Sequence, residues 1–474
     1  MQRILLFVVL IFSSFTFGQT FSEDRTKFSK EFNKLLSDFG KGDYQDFCKK
    51  VVPKVLEENS AFTAAYFSKM VTVCNQLVEK KMKPYPEIYN YVYSVFALVT
   101  TQQSSASFNA WHSTIDKLLM SKSAKKFEDF IDLSATFFSE RKIAVASNFS
   151  WYYEGGTFSF DFNEKPIFRF EGGNLACKIE NNRANSKSDA AFLDSLVIYN
   201  TAGEFDPLTK KWLGKKGKVT WEKVGLSAQS TYALLGDYEV NCKVSYVNID
   251  SVLLTTSYFK TPILGNLNDK ATTINREIDR VYPQFTSKDK LLELNKIVPS
   301  VDYKGGFSLE GANFVGKGTV AIPAEIVLYR NDKTFIRQRG QEVTINQQSL
   351  RIYNATSTIY LGSKDSIYHP SLSFYYDIPA KRIEFVRSTA GLGQAPFQNS
   401  FHQIDVFAPK ILWNIDSSSM YFTYDVGTSQ EKRVATFESK SFFDNNLYSK
   451  FQGLQGGNSI NDLYQYSFNN DVYE

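Results

Sequence analysis

The chain is poor in the residues that most active-site chemistry requires. Only three histidines and four cysteines occur in 474 residues. The cysteines stand far apart, with no C-x-x-C pair and no histidine close by, so a zinc site has no spacing to rest on. There is no G-x-S-x-G elbow for a serine nucleophile, and no glycine-rich loop leads into a helix carrying a phosphate-binding lysine. Charge of one sign is also missing. Lysine and arginine number 54 against 50 acidic residues, a net of +4, which excludes a dedicated nucleic-acid protein with one strongly basic face. The single basic run, Lys210-Lys211 to Lys215-Lys216, reads as a solvated hairpin tip. After the first residues no segment reaches the roughly 20 apolar residues of a spanning helix.

Hydrophobic residues make up 43% of the chain and charged residues 22%, values of a folded globular protein. Aromatics reach 15%, with 41 Phe and 27 Tyr, which suits half-buried pleated strands. The length predicts about two to four domains. At the N-terminus Arg3 precedes an apolar run, Ile4 to Phe12, extended weakly to Phe17. The small residues Thr16 and Gly18 follow. Residues 1–18 therefore read as an export signal peptide with cleavage near Gly18 or Gln19. No cysteine follows the run, so a lipid anchor there has no support.

An oxidising compartment permits disulfides, and the cysteines fall two by two: Cys48 with Cys74, and Cys177 with Cys242. If helices run from about Gln45 to Leu56 and from about Phe62 to Glu79, Cys48 and Cys74 lie roughly level on antiparallel neighbours. A bridge there stabilises by about 3 kcal/mol. Four buried thiols are the alternative.

Residues 21–145 carry a helical period. Phe28, Phe32 and Leu35 open the first stripe, and Phe47, Val51 and Val55 the second, with Pro53 inside it as a kink or break. The third runs through Phe62, Tyr66, Met70 and Leu77, and the fourth from Ile88 to Val99. Phe108, Trp111 and Ile115 lead the fifth, and Phe127, Phe130 and Phe137 the sixth. Six short helices with brief connections predict antiparallel hairpins. His112 falls on the fifth stripe, as a surface or packing residue.

Near Ala144 the period changes from 3.6 to 2. Phe149–Tyr153, Gly155-Gly156 and Thr157–Phe162 read as strand, turn and strand. Gly172-Gly173 and Gly305-Gly306 are likewise expected as hairpin turns. Two phrases recur in order. F-x-φ-E-G-x-N-φ, where φ is apolar, occurs at Phe168–Leu175 and Phe307–Phe314; S-L-x-I-Y-N occurs at Ser195–Asn200 and Ser349–Asn354. An ordered pair of matches implies repeated β units. The expected fold class is thus α+β in separate domains: an antiparallel α-helical domain, then at least two antiparallel β-rich repeat units, sandwich or solenoid-like. The domains are 21–145 helical, 148–270 first β unit, 271–299 a polar connection, 300–440 second β unit. For the polar tail 441–474 two readings stand, the truncated start of a longer protein or a disordered end.

The chain after Phe149 carries a resemblance. Val301-Asp-Tyr-Lys-Gly-Gly-Phe-Ser-Leu-Glu-Gly-Ala312, with Phe205–Trp212, Gly217–Leu226 and Asp365–Pro370, is similar to segments of very large exported β-repeat proteins of Bacteroidota-type bacteria, near their N-terminal portion. The resemblance implies an envelope, periplasmic or cell-surface location in a two-membrane bacterium. It carries over no functional residues.

Candidate chemistry is thin. His369 reads as a turn residue after Ser366–Tyr368; with His402, Asp405 and Asp365 it is the only set in which a metal centre can be imagined. Glu171 and Glu310 occupy matching places in the two phrases, so they are either paired acids for glycoside hydrolysis or turn-formers for each unit. Trp151, Trp212, Trp221 and Tyr375 are rings that either stack on a partner such as a sugar or fill the β core. The expectation is an exported, non-catalytic scaffold or binding module without cofactor, with envelope proteins as partners. Glycans are a second class of partner, nucleic acid is not expected, and any membrane association is peripheral. A glycan-binding or glycan-active secreted protein and a lipid conduit are the alternatives.

Overall fold

A computed structural model describes residues 20–37, 43–101, 105–121, 123–180, 192–274, 281–346, 348–423, 435–440, 463 and 466–469. Residues 1–18, expected from the sequence to be an export leader, and the tail from 441 apart from those last five residues, lie outside the described residues. The chain divides into two compact units. The first is Met1–Val219, Ala233–Asp250 and Asn268–Arg280; the second is Thr220–Tyr232, Ser251–Leu267 and Val281–Glu474. As expected, helices come first and antiparallel strands follow.

The six apolar stripes are each helical, and the second is split. Helix α1 (Arg25–Leu36) begins at Asp24, whose carboxylate accepts from the Lys27 amide at 2.8 Å, satisfying a donor the first turn leaves open. It buries Phe28, Phe32 and Leu36 on one face. Helix α2 (Asp43–Asp46) widens into a π turn at Phe47–Val51 before α3 (Val52–Glu58). The widened turn sits directly before Pro53, which has no N–H to continue the ladder. Helix α4 (Ala64–Glu79) is capped by Thr63. Then come α5 (Tyr89–Thr100), α6 (Ser105–Met120) and α7 (Ala124–Glu140), the last ending at Arg141 in the left-handed conformation.

Strands β1 (Lys142–Val145), β2 (Phe149–Asn163), β3 (Lys165–Ile179), β4 (Phe192–Leu193), β5 (Ser195–Asp206) and β6 (Lys211–Thr220) follow. Helices and first strands share a unit because they share a core. Phe137 meets Phe158 edge-on at 4.9 Å and Phe170 at 5.2 Å; Phe130 lies 5.3 Å from Phe168, and Phe138 5.9 Å from Phe160. The α7 stripe therefore continues as a seam of phenylalanines into the β2–β3 hairpin.

That hairpin corrects the glycine expectation. Gly155-Gly156 and Gly172-Gly173 are not turns. Gly155 faces Gly173, and Thr157 faces Glu171, inside one hairpin running in register from Phe149↔Ile179 to Asn163↔Lys165. Gly155, Gly156 and Gly172 have φ of 63–70°, so the glycines bend a paired ribbon without ending it. Gly305-Gly306 likewise lies within a strand.

Strands β7 (Tyr232–Asn241), β8 (Tyr246–Thr255), β9 (Ile263–Lys270) and β10 (Thr273–Ile274) come next; β10 pairs with β4. In the second unit, β11 (Gln284–Ser287) and β12 (Leu292–Val298) both pair with β13 (Val301–Glu310). The 271–299 stretch is therefore more than a connection: Phe285 and Ser287 point inward on a strand. The other side of β13 is covered by β14 (Asn313–Lys317) and β15 (Ala324–Arg330), which in turn pair with β17 (Glu342–Ile345) and β16 (Lys333–Gly340). Both of these pair with β18 (Ser349–Tyr360). The pattern is an up-and-down meander whose long strands are interrupted, so two short strands stand where one long strand would. It continues through β19 (Ser366–Asp377) to β20 (Arg382–Arg387) and β21 (Phe397–Asn399), then β22 (Ile404–Phe407), β23 (Lys410–Asn414), β24 (Met420–Thr423) and β25 (Thr436–Ser439).

The recurring phrases share local conformation and differ in pairing. Gly172 and Gly311 are left-handed, as are Asn200 and Asn354. In the first copy the phrases lie on adjacent strands, Leu175 facing Ile198 and Asn174 Oδ1 accepting from the Asn200 amide at 3.1 Å. In the second, Glu310 and Asn313 flank a tight turn, and β17 separates β14 from β18.

Candidate functional site

The helical region holds a concave groove of about 630 Å³ between the start of α4 and the length of α6. Such a size falls in the usual range for small-molecule sites. Thr63, whose hydroxyl caps α4, Tyr66 and Lys69 stand on one side; Ser105, Asn109, Ser113 and Asp116 stand on the other. On α6 these four recur at helical spacing and so share a face.

Three rings line the groove, Tyr66 half-buried, Phe108 and His112 buried. Tyr66 lies 4.1 Å from Phe108, and Phe108 lies 4.1 Å from His112. At one end the Lys69 ammonium bonds both oxygens of Asp116, at 3.0 and 2.9 Å. Each partner keeps about a third of its side chain in solvent, 35% and 36%. The pair closes the charge of the groove internally.

His112 is not a reactive group. Its Nδ1 lies 3.0 Å from the Phe108 carbonyl, and its Nε2 lies 3.0 Å from the Tyr91 hydroxyl. The carbonyl can only accept, so the proton sits on Nδ1 and Nε2 accepts from Tyr91. Burial pushes the imidazole down to about 4, and the ring is neutral at physiological pH. The reading of His112 as a packing residue fits this environment.

The aromatics singled out in the sequence lie elsewhere, and three of them correct the surface reading. Trp151, Trp212 and Trp221 are fully buried. Their indoles donate to Val244 O at 2.9 Å, to the Tyr238 hydroxyl at 3.3 Å and to Pro283 O at 3.1 Å. Alternation along a strand shows that a ring faces one side without saying which side is covered. Tyr375 is half-buried, with the Arg351 guanidinium 5.0 Å over its ring. Cys48, Cys74, Cys177 and Cys242 are all buried thiols. Burial drives the Cys48 thiol up to about 12 and raises Cys74 and Cys242 well above the ordinary range.

His369 sits inside β19, not in a turn. Its Nε2 donates to Ala395 O at 2.8 Å and its Nδ1 accepts from the Ser371 amide at 3.2 Å. His402 is exposed. Asp365 accepts from Ser400 at 3.0 Å, and Asp405 pairs with Lys440 at 3.1 Å. Among the described residues no group of three His, Cys, Asp or Glu could hold a metal ion. Glu310 pairs with Lys317 at 3.1 Å, and Glu171 lies exposed on β3.

A second concavity of about 580 Å³ lies in the β-rich unit. Ile367, Ile404, Val406, Met420 and Phe422 give it an apolar lining, with Asn399, His402 and Ser418 as its polar members.

Sequence reasoning missed the helical groove. Its one signal was the Ser105, Asn109, Ser113, Asp116 stripe, which from sequence is indistinguishable from an ordinary solvated face. Among the described residues no helix is long and apolar enough to cross a membrane. No family model, curated protein or solved structure matches the chain.

Proposed function

We propose that the chain is an exported, non-catalytic component of the envelope or surface of a two-membrane bacterium. It works as a β-rich scaffold whose helical head binds a partner. The observation that carries this reading is the groove. Its polar side chains and rings stand on α6 and on α4, which Thr63 caps, while the one imidazole beside it is buried, bonded at both nitrogens and neutral. Such a site is built to recognise rather than to transfer protons. The Arg3–Phe17 leader and the resemblance of the chain after Phe149 supply the export part. Two measurements test it. Signal-peptide processing and protease accessibility in intact and permeabilised host cells report the location. Cross-linking and pull-down from envelope fractions report the partner, and cytoplasmic retention or an empty pull-down counts against the proposal.

The apolar concavity among β19–β24 favours a second reading, carriage of a lipid chain. Organic extraction of the purified protein followed by mass spectrometry distinguishes the two: co-purifying lipid supports carriage, and its absence supports the scaffold.

A further inference from the structure

We propose that the α4–α6 groove is a saccharide site that takes a neutral pyranose ring. Three features of the groove, together, select that chemistry. First, its apolar lining is uncharged: the half-exposed Tyr66 ring lies 4.1 Å from Phe108, which lies 4.1 Å from His112, and these two rings are buried, so Tyr66 is the ring open to a ligand. One face of a pyranose presents axial C–H groups, which pack against an aromatic ring as other apolar groups do. Second, the rim offers hydroxyl and amide groups at exposed positions, Ser105, Asn109 and Ser113. Vicinal sugar hydroxyls both donate and accept, and such side chains match them in either role. Third, the charged groups cancel. Lys69 and Asp116 bond each other through both carboxylate oxygens and remain about one-third exposed. An anion approaching Lys69 meets the Asp116 carboxylate, and a cation approaching Asp116 meets the ammonium. A neutral hydroxyl can use the remaining lone pairs and the remaining N–H without breaking the pair.

This deepens the reading of the helical head as the binding end of the chain. The two can fail separately: a correctly exported protein that ignores sugars defeats the groove assignment alone, and a sugar-binding protein retained in the cytoplasm defeats the export alone. The test is calorimetric titration of the full chain with maltose-, cellobiose-, chitobiose- and lactose-series oligosaccharides, alongside a random-peptide display selection on the same protein. At least one neutral series binds. Tyr66→Ala weakens it by about tenfold or more, the loss of one good contact. Because Tyr66 also packs on Phe108, Asn109→Lys and Ser113→Lys serve as exposed blocking variants; they abolish binding with the unfolding midpoint unchanged. Absence of binding by every neutral series overturns the proposal, as does binding that survives the blocking variants. Peptides selected in a Tyr66-dependent way, without sugar binding, assign the groove to a protein partner instead.

Discussion

The Gly173 amide donates to the Tyr153 hydroxyl at 2.7 Å, and the same hydroxyl donates to Thr201 O at 3.2 Å. One buried phenol thereby joins the hairpin and the next strand where β3 and β5 lose register, between Phe170 and Leu175. A bend leaves backbone groups unpaired, and here a side chain meets them. A Cβ on Gly173 would sit 2.5 Å from the Tyr153 ring. Gly173→Ala must therefore expel the ring, and Tyr153→Phe strands the Gly173 amide. Each is expected to destabilise by roughly 1–3 kcal/mol. Chemical denaturation measures this, and an unchanged midpoint for both variants removes Tyr153 from the account of the bend.

The phenylalanine seam makes a second prediction. Phe137 is fully buried between helix and hairpin, touching Phe158, Phe168 and Phe170. Phe137→Ala is expected to cost about 3–5 kcal/mol. If helices and first strands form one cooperative body, far-UV signals from both lose midpoint together. A transition that splits, with strands persisting after the helices melt, shows that the seam is not a shared core.

How much of this was legible follows from what each signal measures. The helical stripes were readable because burial of Phe28, Phe32 and Leu36 recurs at the helix period whatever lies opposite them. The strand segments were readable for the same reason at period two. Partners were not. Gly155-Gly156 announces positive φ, and only the facing Gly172-Gly173 shows that the chain bends there without turning. The tryptophans sat on a definite face, but covering of that face is tertiary. The phrases at Phe168 and Phe307 each hold a left-handed glycine, a local property, while their strand pairing depends on residues far outside them. The groove was illegible because α4 and α6 contribute half each.

Thiol reactivity is a third expectation. Cys48, Cys74, Cys177 and Cys242 are buried, and burial holds the Cys48 thiol near about 12 and the Cys74 thiol higher still. The thiolate is the reactive species. Native protein purified under reducing conditions should resist iodoacetamide, and unfolded protein should take up the label at all four positions. Rapid native labelling at any one of them shows that its segment is open in solution. Non-reducing peptide mapping of protein purified without reductant decides the disulfide pairs expected from the sequence.

Acid stability depends on His112. In the folded chain burial pushes its imidazole down to about 4, whereas an unfolded histidine titrates near about 6.5. The unfolded state thus binds the proton first as pH falls. The contribution of the neutral, buried ring is complete above about pH 6.5 and is lost progressively towards pH 4, amounting to about 3 kcal/mol at most. His369 is lowered by burial too and slopes the same way. Glu87 is raised, chiefly by burial, with Glu128 beside it adding to the effect, and slopes the opposite way just above the ordinary carboxylate range. The difference between the natural chain and His112→Gln isolates the imidazole, because the other groups remain in both. Unfolding free energies measured across this window should converge as pH falls, the natural chain losing more than the variant. Parallel curves mean that the folded ring takes up its proton as readily as the unfolded one, and then it is not buried as described.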